Sequence, residues 1–274
     1  MSIEAARTLD TAPVGRVRFL GVPVDAIDME GMLSLAHRAM ATRTPMRHCA
    51  LNVAKYITLR TDPLLRRDVM QSDVITADGM GIVWGARLLG LRLPGRVTGV
   101  DLMERLMALC AEHGYRPFIL GAREDVLGKA VARLQARYPG LVVAGMRHGY
   151  FTEADEPAIV EQIRASKADC LFIAISSPKK ERFSGAYFPD LGVPFVMGVG
   201  GAVDVIAGLT RRAPVWMQKS GLEWLYRLLQ EPRRLWWRYA RTNTLFAWIV
   251  LKALIGGHAA RTGGGQAAAG SIGD

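Results

Sequence analysis

Long hydrophobic runs are missing from this 274-residue sequence. The longest apolar stretch covers residues 245–255 and is interrupted by Lys252, whereas a helix that crosses a bilayer needs about 20 apolar residues. Residues 1–13 contain acidic side chains and no apolar core, which argues against a secretory signal peptide. Any contact with a membrane is therefore expected to be peripheral.

Cysteine is scarce, and its distribution argues against both disulfides and a metal site. The three cysteines, Cys49, Cys110 and Cys170, lie far apart in apolar segments. An odd number of separated thiols is typical of buried free cysteines in a reducing compartment. No group of His and Cys residues has metal-ligand spacing, so neither a metal nor another cofactor is expected.

The usual signatures of nucleotide binding are also absent. No Gly-x-Gly-x-x-Gly motif follows the first predicted strand, no Walker loop is present, and no two aspartates are spaced Asp-x-Asp. An ordinary NAD or ATP site is therefore disfavoured. If the reaction expels a nucleotide diphosphate, then arginines, lysines and backbone amides must offset its negative charge.

Acidic residues are scarce only towards the C-terminus. Residues 209–274 hold ten Lys and Arg against three Asp and Glu, a net charge of +7, whereas the first 208 residues hold 25 against 22, a net charge of +3. A nearly balanced body with a cationic C-terminal part predicts an anionic partner for that part. Phospholipid head groups, a lipid-linked phosphate and nucleic acid are the candidates.

Short apolar strands alternate with amphipathic helices through the first 208 residues. Strands are predicted at residues 16–25, 48–52, 74–77, 117–120, 141–144, 170–175 and 195–199, and helices at 29–42, 54–69, 82–91, 100–113, 123–138 and 156–166. This alternation predicts an α/β fold with a doubly wound, mainly parallel, Rossmann-like sheet. We assign residues 1–208 to this main domain, 209–255 to a helical appendage and 256–274 to a disordered tail.

Ligands of such sheets bind beyond the carboxyl ends of the strands. Asp78 follows the strand at 74–77 and lies between small residues, so its carboxylate is a candidate general base for an incoming hydroxyl. An Asx-turn or a cap for the next helix explains the same local sequence. Arg96 and Lys180 adjoin Gly- or Ser-rich loops and either add positive charge to this site or are solvated surface charges.

Arginine and tryptophan are concentrated in the predicted appendage. Arg234, Arg238 and Arg241 fall at i, i+4 and i+7 and share a helix face, and Arg227 lies seven residues before Arg234. Five of the six tryptophans also lie here: Trp216, Trp224, Trp236, Trp237 and Trp248. This combination is typical of a helix lying on an anionic bilayer. An ordinary core helix and a nucleic-acid platform are the alternatives, and the apolar run at 245–255 weakens the second.

Several blocks of the sequence, in order and spacing, resemble the WecG/TagA/CpsF family of bacterial glycosyltransferases, glycosyltransferase family 26. The blocks are Leu51-Asn52, Ala77-Asp78-Gly79-Met80-Gly81, Ser177-Pro178-Lys179-Lys180-Glu181, residues 198–202 through 212–214, and residues 221–227 with Glu231-Pro232. The resemblance covers about residues 17–240.

The resemblance implies a modified Rossmann-like fold of GT-E type with a membrane-docking C-terminal appendage. It further implies metal-independent, inverting transfer of a sugar from a UDP-sugar to a polyprenyl-diphosphate-linked saccharide. The enzyme would be a peripheral protein at the cytoplasmic face of the bacterial inner membrane, bound to an anionic membrane surface. The oligomeric state is left open, with a homo-oligomer away from the membrane as one option.

Site residues follow from the same resemblance. Asp78 matches the family's proposed catalytic base, and the UDP-sugar pocket is expected to contain Asn52, Arg96, Thr98, Lys180 and Gly200. Arg227 and Arg234 match two arginines that bind the lipid diphosphate. The third basic position of the family falls on Trp237, so the adjacent Arg238 is assigned to it.

Two departures from the family pattern bear on the donor sugar. Ala50 replaces a common threonine and Lys180 replaces a common glutamine, and both positions belong to the donor pocket. They favour a hexose or a uronic acid over N-acetylmannosamine, and a role in exopolysaccharide or other cell-surface polymer synthesis. The alternative is a non-catalytic basic protein that binds nucleotides or nucleic acid, although nucleic acid is not the expected partner.

Overall fold

A six-stranded parallel sheet forms the centre of the protein. The computed structural model describes residues 15–256, apart from the side chain of Arg234. The sheet has the order β4-β3-β8-β7-β5-β6, and every neighbouring pair is parallel. Its strands are β3 (Met46–Leu51), β4 (Val74–Ala77), β5 (Pro117–Gly121), β6 (Gly145–Arg147), β7 (Cys170–Ala174) and β8 (Phe195–Gly198). The predicted α/β, Rossmann-like class is confirmed.

Helices cover both faces of this sheet. They are α1 (Met29–Thr42), α2 (Val53–Thr58), α3 (Pro63–Met70), α4 (Met80–Leu88), α5 (Gly99–His113), α6 (Glu124–Arg137), α7 (Glu156–Ala165, after a 3-10 turn at Glu153–Asp155), α8 (Lys179–Tyr187) and α9 (Ala202–Ile206). Adjacent residues of a strand pack into hydrophobic cores on opposite faces of the sheet. Ile119 and Phe172 belong to the core formed with α1, α5 and α6. Phe118 and Leu171 belong to the core formed with α7 and α8. Burial on both faces explains why these strands are apolar throughout rather than alternating.

Residues 16–25 fold as a hairpin, and the single strand predicted for them is therefore wrong. Strands β1 (Arg16–Phe19) and β2 (Val22–Asp25) pair antiparallel. Between them Leu20 and Gly21 have φ of 47° and 86°, a left-handed turn that reverses the chain. Asp25 attaches the hairpin to the sheet edge by accepting a hydrogen bond from the Ile75 backbone N–H at 2.7 Å.

Two further elements differ from the prediction. The helix expected at 54–69 is divided into α2 and α3, because Asp62 caps the Leu65 N–H at 2.9 Å and Pro63 starts a new helix. The strand expected at 141–144 is shifted to β6. Its pairing with β5 begins at Gly145, opposite Phe118, where a Cβ would lie 2.6 Å from the Phe118 ring.

In the described part of the C-terminal region, up to Gly256, the helices after α9 are α10 (Val215–Lys219), α11 (Glu223–Gln230) and α12 (Pro232–Ile255). Phe246 and Val250 of α12 are buried in the same core as Phe19 and Tyr56, whose ring centroids lie 6.1 and 5.8 Å from that of Phe246. The assigned boundary at residue 208 stays a prediction, and the predicted tail lies outside the described residues except for Gly256. In the described residues, no helix is long and apolar enough to cross a membrane.

Candidate active site

One cleft of about 660 Å³ opens at the carboxyl ends of β3, β4 and β8. It brings together eight of the nine predicted site residues: Asn52, Asp78, Arg96, Thr98, Lys180, Gly200, Arg227 and Arg238. The ninth, Arg234, lies in the first turn of α12, and its side chain is not among those described. Strands far apart in sequence thus meet at one sheet edge, as parallel topology requires.

Asp78 and Asn52 face each other at the bottom of this cleft. Asn52 follows β3 and caps α2, and its Oδ1 accepts a hydrogen bond from the Lys55 N–H at 2.9 Å. Because that contact requires the oxygen, the amide nitrogen points to Asp78, with Nδ2–Oδ2 at 3.4 Å. The cap therefore orients a hydrogen-bond donor towards the candidate base.

Helix capping does not explain Asp78. The residue at the N-cap of α4 is Gly79, with φ of 99°, and the cap has no side-chain hydrogen bond. Gly81 lets α4 pack closely against Val53 of α2, because a Cβ at this position would lie 2.6 Å from the Val53 side chain. The two glycines thus turn the chain and bring α4 against α2, and the partly exposed Asp78 lines the cleft.

A buried group of three charges reaches the cleft through Lys55 and Lys180. Glu181 Oε1 is 2.8 Å from Lys55 Nζ and 3.1 Å from Lys180 Nζ, and Lys55 also donates to the Ala50 carbonyl at 2.6 Å. The Lys180 side chain is only 11% exposed, which excludes the interpretation as a solvated surface charge. Two ammonium groups share one carboxylate, so the group carries one excess positive charge next to the cleft.

The pKa values in this group reflect burial and the shared carboxylate. Burial raises the pKa of Glu181, but Lys55 and Lys180 outweigh it and lower that pKa to about 2. Burial lowers the pKa of Lys180, and repulsion from Lys55 acts in the same direction. On Lys55 burial is outweighed by Cys49 and Glu181, which raise its pKa. Glu181 is therefore firmly ionised, while Lys180 is the less securely charged of the two lysines.

Arg96 belongs to an ion-pair network between the main domain and α11. Its Nη1 lies 2.9 Å from Glu223 Oε2, and its side chain is 16% exposed. Arg212 approaches the other Glu223 oxygen at 3.7 Å and binds Asp101 at 2.7 Å. Thr98 caps α5 and donates to Asp101 Oδ2 at 2.5 Å. Burial raises the pKa of Asp101, but Arg212 and Thr98 outweigh it and lower that pKa.

The C-terminal helices also supply positive charge to the cleft. Arg227 of α11 and Arg238 of α12 both line the cleft, and the Arg238 guanidinium lies 5.4 Å from the ring centroid of Tyr239. Tyr239 in turn packs edge-on against Trp224 at 5.9 Å. Gly200 lines the cleft after β8 with φ of 54°, a backbone conformation that favours glycine.

Sequence reasoning missed four charged or aromatic residues of this site. Glu223 lies within the 221–227 block but received no role, although it pairs with Arg96. Lys55 lies three residues after Asn52, and Glu181 directly follows Lys180. A charged residue in the first turn of a helix does not by itself indicate whether it is buried in a site or exposed to solvent. Trp84 of α4, which lines the cleft, gave no local sign of this position. Within residues 15–256, no group of three His, Cys, Asp or Glu is placed to hold a metal ion.

Comparison with known proteins identifies the family. Residues 17–260 match the sequence profile of the "Glycosyl transferase WecG/TagA/CpsF family". A Bacillus subtilis (strain 168) protein, an N-acetylglucosaminyldiphosphoundecaprenol N-acetyl-beta-D-mannosaminyltransferase, is 34% identical over 188 residues, which cover 68% of this chain and 71% of that protein. The family predicted from the sequence blocks is thereby confirmed. The chain belongs to the WecG/TagA/CpsF family and is a glycosyltransferase.

Proposed function

We propose that the protein transfers a hexose-type sugar, with inversion, from a UDP-sugar to a polyprenyl-diphosphate-linked saccharide. The observation that carries this proposal is that Asp78 shares one cleft with Lys180 of the main domain and with Arg227 and Arg238 of the C-terminal helices. Two diphosphates, one in the donor and one in the acceptor, would require this distribution of charge. The Bacillus subtilis relative is named for an acceptor of the same class.

The proposed reaction is a single displacement. Asp78 takes the proton of the acceptor hydroxyl, whose oxygen forms a bond to the anomeric carbon of the donor sugar. The bond between that carbon and the diphosphate oxygen breaks, and UDP leaves. Asn52 orients Asp78 through the 3.4 Å contact, so the carboxylate is positioned before the substrates arrive.

Positive side chains would offset the charge on the leaving UDP without a metal ion. Arg96, Thr98, Lys180 and the Gly200 loop are assigned to the donor, since all four line the cleft on the main-domain side. Arg227, Arg238 and, by its place in α12, Arg234 are assigned to the lipid diphosphate. Charge-assisted hydrogen bonds of this kind stabilise developing negative charge most strongly in a desolvated site.

The membrane setting follows from the acceptor class. A polyprenyl diphosphate resides in a bilayer, so the enzyme would act at the cytoplasmic face of the bacterial inner membrane. The exposed Trp236 and Trp237, together with the arginines of α12, suit an anionic membrane surface. Lys180 and Ala50 in the donor pocket favour a hexose or a uronic acid, and hence exopolysaccharide or related cell-surface polymers.

A panel of UDP-sugars tests this function. UDP-glucose, UDP-glucuronic acid and UDP-N-acetylmannosamine are each incubated with a polyprenyl-diphosphate-linked saccharide, with and without EDTA. Release of UDP, a lipid-linked product of inverted anomeric configuration and insensitivity to EDTA are expected with one hexose-type donor. The absence of product with every donor would overturn the function, and loss of turnover in EDTA would overturn metal independence. Preference for UDP-N-acetylmannosamine would overturn the donor assignment.

A further inference from the structure

The cleft does not end at its polar groups but continues as an apolar groove between α4 and α12. This α4–α12 groove is lined by Trp84, Leu88, Ala247, Val250, Leu251 and Leu254. On α12 these residues follow helical spacing, and the distance from Ala247 to Leu254 along the axis is about 10 Å. None of the six is charged. Lys252, the one charged residue in this part of α12, lies over the Trp248 ring at 5.1 Å instead.

Trp84 lies where the polar cleft meets the groove. Gly221, before α11, packs against it so closely that a Cβ would approach Met80 and the Trp84 ring to 2.7 Å. The base of the groove is held in place by packing, because Phe246 and Val250 are buried in the core that also contains Phe19 and Tyr56. Its outer end is open, with Leu88, Leu251 and Leu254 between 42% and 62% exposed.

The cleft thus has an anion-binding head and an apolar extension in one continuous space. Arg227 and Arg238 line the head together with Asp78. We propose that the α4–α12 groove binds the first isoprene units of the acceptor's polyprenyl chain, a subsite that rests on the acceptor class proposed above. With the diphosphate at the arginines, the chain leaves the cleft past Trp84 and emerges between Leu88 and Leu254.

A prenyl chain suits this space better than a bilayer surface or a second copy of the protein. A flat membrane surface or a protein face would cover exposed apolar residues from outside. The groove instead continues into a cationic head, and only a ligand with both an anionic group and a hydrocarbon chain matches both parts. Burial of each methylene of such a chain increases the association constant about fourfold.

Binding of prenyl diphosphates to the full-length protein tests the subsite without any sugar transfer. Inorganic diphosphate, geranyl diphosphate and geranylgeranyl diphosphate are titrated calorimetrically below their micelle concentrations. We expect affinity to rise at least about tenfold from the first to the last, since several methylenes become buried. Ala247→Trp, at an exposed position in the groove, should remove this dependence on chain length. Thr244→Trp, at an exposed position of α12 that does not line the cleft, should preserve it.

Three outcomes would overturn the subsite. They are equal affinity for short and long chains, equal loss in the two tryptophan variants, and sedimentation with phospholipid vesicles free of prenyl lipid that is lost in Ala247→Trp but kept in Thr244→Trp. A dimer that dissociates in Ala247→Trp, without chain-dependent binding in the wild type, would assign the groove to a second copy and equally overturn it. Failure of the UDP-sugar panel with intact chain-dependent binding would instead count against the proposed reaction alone.

Discussion

Arg96 and Glu223 lie 127 residues apart in sequence and form an ion pair of 2.9 Å. Their side chains are 16% and 19% exposed, so the contact is largely shielded from solvent. Arg96 precedes α5 in the main domain, and Glu223 begins α11. The residue assigned to the donor diphosphate is therefore held by a carboxylate of the C-terminal helices.

In the proposed function Arg96 binds the donor diphosphate, so Glu223 would compete with that diphosphate for Arg96. We expect Glu223→Gln to bind UDP about fivefold more tightly, the equivalent of ~1 kcal/mol for a partly buried pair. Calorimetric titration with UDP measures this change. Glu161→Gln removes an exposed carboxylate of α7 and should leave UDP affinity unchanged. Unchanged or weaker UDP binding in Glu223→Gln would contradict the proposal that Arg96 binds the diphosphate.

Substitutions of Glu181 and Lys180 are predicted to differ in their effect on stability. Glu181→Gln leaves Lys55 and Lys180 buried without a carboxylate, and loss of a buried partner costs about 3–5 kcal/mol. Lys180→Gln leaves a one-to-one pair of Lys55 and Glu181, so the free energy of unfolding should change by less than about 1 kcal/mol. Urea unfolding of both variants compares them directly. Equal destabilisation would contradict the account of a shared carboxylate.

The same carboxylate predicts a pH dependence. The folded-state pKa of Glu181 is lowered from 4.5 to about 2, so its contribution to stability is complete above pH 4.5 and is lost as the pH falls towards 2. The difference in unfolding free energy between the wild type and Glu181→Gln should therefore shrink over that window. Urea unfolding at a series of pH values measures it. A difference that stays constant between neutral pH and pH 2 would remove Glu181 from this role.

The exposed tryptophans of α12 predict membrane binding. Trp236 and Trp237 are 63% and 71% exposed, and replacing both with glutamate removes apolar contact and adds charge that an anionic bilayer repels. Sedimentation with anionic vesicles should fall at least about tenfold. Tyr150→Glu, at a site 72% exposed between β6 and α7, should sediment like the wild type. Unchanged sedimentation of the Trp236→Glu, Trp237→Glu variant would place membrane contact elsewhere.

Local sequence patterns were sufficient to predict the parallel sheet, apart from the position of β6, and one end of the site. Buried strands followed by polar or small residues predict where Asn52 and Asp78 meet, because parallel strands end at the same edge. The hairpin at Leu20 and Gly21 was missed, since a positive φ at leucine has no sequence signal.

Long-range contacts account for what sequence reasoning could not predict. The pairing of Lys55 with Glu181 and the burial of Phe246 against Phe19 join segments that are more than a hundred residues apart. Neither contact leaves a local pattern, because an isolated charge or aromatic residue on a helix fits the surface as well as the core. The prediction likewise included Arg96 but not its partner Glu223, because tertiary packing brings the two residues together.

The central claim is that Asp78 removes the proton from the acceptor hydroxyl, and Asp78→Asn tests it most directly. Asparagine keeps the size of the side chain and can present its oxygen to the Asn52 amide, so the 3.4 Å contact has an uncharged counterpart. With the reactive UDP-sugar and a lipid-linked acceptor, kcat should fall by about 10²–10⁴-fold. The Kd for UDP, titrated in parallel, should stay within about twofold of the wild-type value. A kcat close to that of the wild type in a folded Asp78→Asn protein would contradict the account.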